Sequence, residues 1–273
     1  MNAPEERSRV RPYAIGAGVG ALAVVLVIGL VITAVRAVTG GDSADAPPPA
    51  PPPAPPAAST PAESREAETA LAMRPMLQLP DAAGQPHALT TETAGPPIVL
   101  PPPVRVVGTL VPDSFPATPE GAVAQLAAMT KTGMLGGDPA DYARAHDSIA
   151  EAGAPPGDRA LFAWSMTNFR KGAGLPANGP KPGMSITWEP AAALIKGTVG
   201  ERYVVVCVLG EFTFGFKGQV ANAGSGDCQA MRRVATPDGE QWRIARGARA
   251  AQASSAWPGT AEAVAAGYRA IAR

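Results

Sequence analysis

Hydrophobic and polar positions divide the chain into four stretches. Residues 13–35, YAIGAGVGALAVVLVIGLVITAV, contain no charged side chain. A helix of that length covers roughly 30–35 Å, enough to cross the hydrocarbon core of a bilayer, so residues 13–37 are expected to be a transmembrane helix. Arg7, Arg9 and Arg11 precede it and only Arg36 follows closely. That bias holds residues 1–12 in the cytoplasm and sends the remainder outward. The rival reading is a cleavable secretory signal, whose apolar region usually runs about 7–15 residues, shorter than this one. Gly16 and Gly20 make a G-x-x-x-G spacing that lets two spans approach closely as a dimer face. Glycine is common in such spans without that role.

Residues 38–94 read as a proline-rich disordered linker. APPPAPPPAPPAASTPA at 46–62 lacks large apolar side chains and suits an extended polyproline II spacer reaching on the order of 50 Å. Proline keeps breaking the pattern up to about 112, although Ile98, Val99, Leu100 and residues 104–111 are apolar enough to dock as short extended pieces. Low order is expected before residue 95.

Periodic signals then fill residues 95–273, the expected extracytoplasmic domain. Thr118, Pro119 and Glu120 announce a helix to about Lys131 through a capping hydroxyl, a proline at the first helical position and an acid in the first turn. Asp138 and Pro139 repeat the signal for a helix to about Ala152. Asp158 opens a third, to Gly172, whose Leu161, Phe162, Trp164, Met166 and Phe169 lie nearly all round it and predict the most buried of the three. After 183 the period becomes two. Residues 184–188 and 191–195 read as an interrupted strand and 203–209 as a central one. Phe212, Phe214 and Phe216 put three rings on one face. Residues 228–234 and 240–245 form a hairpin about Thr236, Pro237, Asp238 and Gly239. Residues 261–272 read as a short C-terminal helix. Three helices followed by an antiparallel sheet predict an α+β domain with helices on one face of a curved sheet.

Composition narrows the function. In 273 residues, 23 basic and 23 acidic side chains balance to a formal charge of zero, which gives no general attraction to nucleic acid. Thirty-one prolines and 30 glycines confine packed core to part of the chain. No phosphate-cradling loop, H-E-x-x-H or G-x-S-x-G motif and no metal-spaced Cys or His cluster is present, so no catalytic residue, metal or cofactor is expected. His87 falls in the linker. His146, beside Asp147 and five residues after Asp141, is the one candidate general base, and it lacks a visible converging group; a solvated or packed histidine is the plainer reading. Cys207 and Cys228 fall outside the membrane, where disulfides persist, and a bond between them is expected; two buried free thiols are the alternative. If residues 210–225 form a loop with 210 across from 225, the cysteines face each other, whereas a hairpin pairing straight on through the phenylalanines is expected to move them apart. Arg232, Arg233, Arg243, Arg246 and Arg249 gather on the last hairpin, with Arg232 across from Arg243. They read as armour on an edge strand or as a docking surface for an acidic partner. Phe212, Phe214 and Phe216 are a second contact patch if exposed.

The order of elements resembles the cystatin-like cone of nuclear transport factor two-like proteins, of periplasmic domains of bitopic type IV secretion subunits and of the TcpC-like conjugation family. The strings FPATPEGA at 115–122, GDCQAM at 226–231, WPGT at 257–260 and AGYR at 266–269 are similar to uncharacterised actinobacterial membrane proteins that travel with plasmid and integrative-element transfer genes. The resemblance implies a membrane-anchored accessory or scaffold subunit of a conjugative transfer or secretion apparatus. It would sit in the cell membrane by a single pass and act by contact with other envelope proteins or with copies of itself. Two alternatives stand beside it. One is an enzyme or small-molecule binder using the cone's pocket, lined by Trp164, Phe169, Tyr203, Phe212 and Phe214. The other is a structural envelope protein.

Overall fold

The computed structural model describes residues 61–272. The expected transmembrane helix at 13–37, with Gly16 and Gly20, the segment 1–12 and residues 38–60 of the linker lie outside the described residues. No helix among the described residues is long and apolar enough to cross a membrane.

The densest apolar run in the chain sets the architecture. Tyr203, Val204, Val205, Val206, Cys207, Val208 and Leu209 are all buried. A strand buried at every position must be covered on both faces. It belongs to a six-stranded sheet of β1 (Ile98–Val99), β2 (Met184–Val199), β3 (Tyr203–Phe216), β4 (Gln219–Thr236), β5 (Gly239–Ile244) and β6 (Arg269–Ala272). The spatial order is β1-β6-β2-β3-β4-β5. β1 runs parallel to β6 and the other neighbours pair antiparallel.

Helices cover one face, as expected for an α+β fold. α2 (Pro119–Met134), α3 (Pro139–Ser148) and α4 (Leu161–Gly172) follow the short helix α1 (Pro61–Met73), and α5 (Ala261–Ala265) comes near the end. Thr118 accepts the N–H of Gly121 and Asp138 that of Ala140, with proline in the first turn each time, which is the capping the sequence announced. Leu126 and Met129 of α2, Tyr142 and Ile149, Phe162 and Met166 of α4 and Trp188 of β2 close over Val204, Val206 and Val208. The most buried helix is α2, enclosed from Gly121 through Ala127, and not α4. Trp164 of α4 is 57% exposed, and Asp158 sits in a 3₁₀ turn, Gly157–Arg159, ahead of an uncapped start. Arg170 of α4 is buried and donates to the carbonyls of Gly136, Gly137, Pro176 and Gly179. One guanidinium thereby ties the α2–α3 connection to the loop after α4.

The second face is closed by segments in which the sequence predicted little order. Residues 61–94 are not a structureless tether: α1 and the chain after it bury Ala72, Met76 and Ala83 against the sheet and the C-terminal segment. Residues 245–268 lie beside them, with Ala253, Ala256, Ala263 and Tyr268 packed over Cys207 and Leu209. Large side chains are scarce here, and the backbones approach closely instead. A β-carbon on Gly224 would stand 1.8 Å from the carbonyl oxygen of Ala256. Main-chain bonds from Ala251 to Ala72 and from Trp257 to Ala83 join the two segments. The Lys196 ammonium, buried on β2, donates to the carbonyls of Ala72 and Arg74. A cation thus meets the negative end of α1 and satisfies carbonyls the helix leaves open. Burial pulls the Lys196 pKa below its ordinary value. His87, placed in the linker by the sequence, bonds to Glu262 of α5 at 3.0 Å.

Two further expectations change. Residues 261–272 are not one helix: α5 stops at Ala265, Gly267 adopts φ 89°, and the chain continues as β6 between β1 and β2. Residues 184–199 form one strand with irregularities after Pro190 and Ile195. The phenylalanine run pairs straight on in the β3–β4 hairpin, yet the cysteines meet. Lys217 and Gly218, both at positive φ, make a two-residue turn of the kind that matches strand twist. A single register then runs from Phe216↔Gln219 through Gly210↔Ser225 to Cys207↔Cys228. The two cysteines are disulfide-bonded, with Cα atoms 4.0 Å apart and a sequence separation of 21.

A bridge closing a loop of this size restricts the unfolded chain by about 3 kcal/mol in the chain-entropy account. Reduction, or Cys207→Ala with Cys228→Ala, is expected to lower the melting temperature by roughly 6–12 °C. Thermal melts with and without reductant check this; coincident melts would show that the bond contributes nothing.

Candidate functional site

Three groups of side chains carry the candidate chemistry, and the β3–β4 hairpin passes through all of them. At its tip Phe212, Phe214 and Phe216 share one face, as their alternation predicts. Phe169 of α4 packs edge-on to Phe212 and Phe214, with ring centroids 5.8 and 5.1 Å apart. Those two rings are therefore partly absorbed by packing. Phe216 sits at the end of the strand, with the ammonium groups of Lys181 and Lys217 5.5 and 5.3 Å from its ring centre. Val220, across the turn, is 67% exposed.

At the other end of the hairpin the arginines do not form one free basic patch. Arg232 lies across from Arg243, as the register predicts, but carboxylates from far along the chain separate the two charges. Arg232 makes a two-pronged ion pair with Glu68 of α1 at 2.8 and 2.7 Å and reaches Glu151 at 3.4 Å. Its guanidinium also lies over the Tyr203 ring at 5.0 Å. The Glu68 hydrogen bonds, above all, raise the Arg232 pKa further. Arg233 pairs with Glu240, while Arg243 donates to the Ser148 carbonyl and to Gln241. Arg246 and Arg249 keep exposed side chains. The paired arginines fasten α1 and the α3 exit to the sheet, which no local pattern in the sequence discloses.

Between these ends lies a polar group that sequence reasoning missed. Asp227 of β4 is buried under α2 and α3. It accepts hydrogen bonds from the Tyr142 hydroxyl at 2.9 Å and the Gln229 amide at 3.0 Å, with the Thr130 hydroxyl at 3.5 Å. His146 stands close enough for its charge to act on Asp227. The signal in the sequence was phase: Asp227 and Met231 alternate onto the helix-covered face, so a carboxyl there has to be satisfied internally. Burial pushes the Asp227 carboxyl above the usual range, opposed by Tyr142, His146, Gln229 and Thr130. Burial also raises Tyr142 well above its ordinary value. His146 is itself buried, with Nδ1 3.2 Å from Asp147 Oδ1. Asp141 pairs with Arg144 instead.

A cavity of about 460 Å³ borders this network, with His146, Asp227 and Gln229 in its wall. Trp164 also lines it. Of the other aromatic residues expected around a pocket, Tyr203 borders a separate cavity with Arg233 and Trp242, and Phe169, Phe212 and Phe214 form the ring cluster. Among the described residues no group of three or more His, Cys, Asp or Glu side chains could hold a metal ion.

Because the folded-state pKa of Asp227 lies above the unfolded value near 4, the folded protein holds the extra proton in the interval between them. Its stability should therefore fall as pH rises from about 4 through the folded-state pKa. Asp227→Asn should remove that slope. Urea unfolding of both proteins from about pH 4 to 7 checks this, and parallel profiles would place the titration of Asp227 outside that window.

No protein-family model matches the chain, and neither a curated protein nor a solved structure does.

Proposed function

We propose that the chain is a single-pass membrane protein whose outer domain works by protein contact, as an accessory subunit of a type IV-like conjugative transfer or secretion apparatus. The observation that carries the contact reading is the hairpin tip. There the half-buried Phe216 ring, beside Phe214 and between Lys181 and Lys217, lies on one face of the ladder and the exposed Val220 on the other. Aromatic rings are enriched at protein interfaces, and this one is set on a rigid ladder. The outward location rests on the apolar run at 13–35 and its arginine bias, and the Cys207–Cys228 bond supports an oxidising compartment. A second reading, small-molecule binding, is favoured by the cavity beside His146 and Asp227.

A photo-crosslinking residue in place of Val220, in full-length protein in intact cells, should capture other envelope proteins identifiable by mass spectrometry. Phe216→Asp should abolish that capture and lower the melting temperature by no more than about 4 °C, since its ring is only half-buried at the hairpin tip. Capture unaffected by Phe216→Asp, or none at all, would remove the tip as the contact surface.

A further inference from the structure

The cavity of about 460 Å³ opens beside the helix-covered face of the sheet. Its position follows from the sheet. β5 pairs with β4 only from Met231 onward, so Asp227 to Ala230 form a margin with no β5 partner. The cavity lies against that margin, roofed by the Gly157–Arg159 turn, the start of α4 and residues 244–253. Its size falls within the roughly 300–1,000 Å³ of small-ligand sites. Much of the wall is apolar, from Pro155, Leu161, Trp164, Ile244, Ala248 and Ala253.

The polar groups fall at two levels. Inside, His146 is aligned by Asp147, whose Oδ1 lies 3.2 Å from Nδ1 and also accepts the Gly157 N–H at 2.7 Å. The ring is buried and held in one orientation by that contact. Outside, Arg159 and Arg249 are exposed residues of the wall. Arg249 donates to the Arg159 carbonyl at 2.8 Å, which holds the Arg249 side chain beside the Gly157–Arg159 turn. Neither is paired with a carboxylate among the described residues, and Asp158 is the one exposed acid in the wall. Two guanidinium groups over an apolar chamber match an anion with a hydrocarbon body.

We propose that this cavity binds a small apolar carboxylic acid. The carboxylate rests on Arg159 and Arg249, and the body lies against Trp164, Leu161 and Ile244. The site stands apart from the hairpin tip and does not depend on the contact role.

The test uses the full-length chain in lipid nanodiscs, titrated with naphthalene-2-carboxylate by calorimetry against empty nanodiscs. Saturable one-to-one binding is expected. Affinity should drop at least about tenfold for the neutral naphthalene-2-carboxamide, and by a similar factor for the double variant Arg159→Ala with Arg249→Ala. Both arginines are exposed, so that variant should melt at the wild-type temperature. Lys181→Ala with Lys217→Ala, which removes two cations at the hairpin tip, should bind as wild type. No saturable binding, equal affinity in the Arg159/Arg249 variant, or an equal loss in the Lys181/Lys217 variant would each overturn the proposal.

Discussion

A strand that is apolar on both faces leaves the fold little freedom. β3 carries Val204, Val206 and Val208 to one side and Val205, Cys207 and Leu209 to the other, so a sheet with helices on a single face would leave half of this surface in water. Three helices, two of them with side-chain caps, supply the first cover. The second is drawn from chain on either side of them, residues 61–97 and 245–268, and this requirement brings the two ends of the described chain together. β1 and β6 pairing in parallel at the sheet edge is a result of that meeting.

The two covers obey different physics, which explains what could be read in advance. α2 and α3 were legible because Thr118, Pro119, Asp138 and Pro139 announce their starts within a few residues. The hairpin turn at Thr236 to Gly239 was legible for the same reason. The second cover has no such periodicity. It adheres through alanine side chains, main-chain hydrogen bonds and the close approach allowed by Gly224 and Gly226, features that a composition rich in proline and alanine conceals. The cap on α1 comes from Lys196, more than a hundred residues away, and a lysine in a strand ordinarily signals solvent. β6 was hidden because alanines before Gly267 favour helix, and tertiary pairing overrides that preference.

The candidate site was legible in its single residues and not in its grouping. His146 was visible as a histidine next to an acid. Its neighbour Asp227 comes from β4, far along the chain, and was masked by the more conspicuous cysteine beside it. The arginines of the last hairpin looked like a surface cluster because Glu68 and Glu151, which engage Arg232, are distant in sequence. Charge counted along a strand describes the surface only when the opposite strand, the preceding helix and the following loop are also known. The phenylalanines show the complementary case: alternation gave their common face, while Phe169 decided how much of it remained open.

The cystine joins β3 and β4 between the aromatic tip and the Arg232 clamp. α1 is attached to this ladder by fasteners made of charge: Glu68 on Arg232, and the helix end on Lys196. A pull applied at residue 61 would load those polar links first, while the covalent crosspiece shields the strands behind them. A load entering at residue 61 would thus meet the polar fasteners of the first helix, and the Ala72 packing beside them, before it reached the cross-linked strands that carry the surfaces at either end of the hairpin.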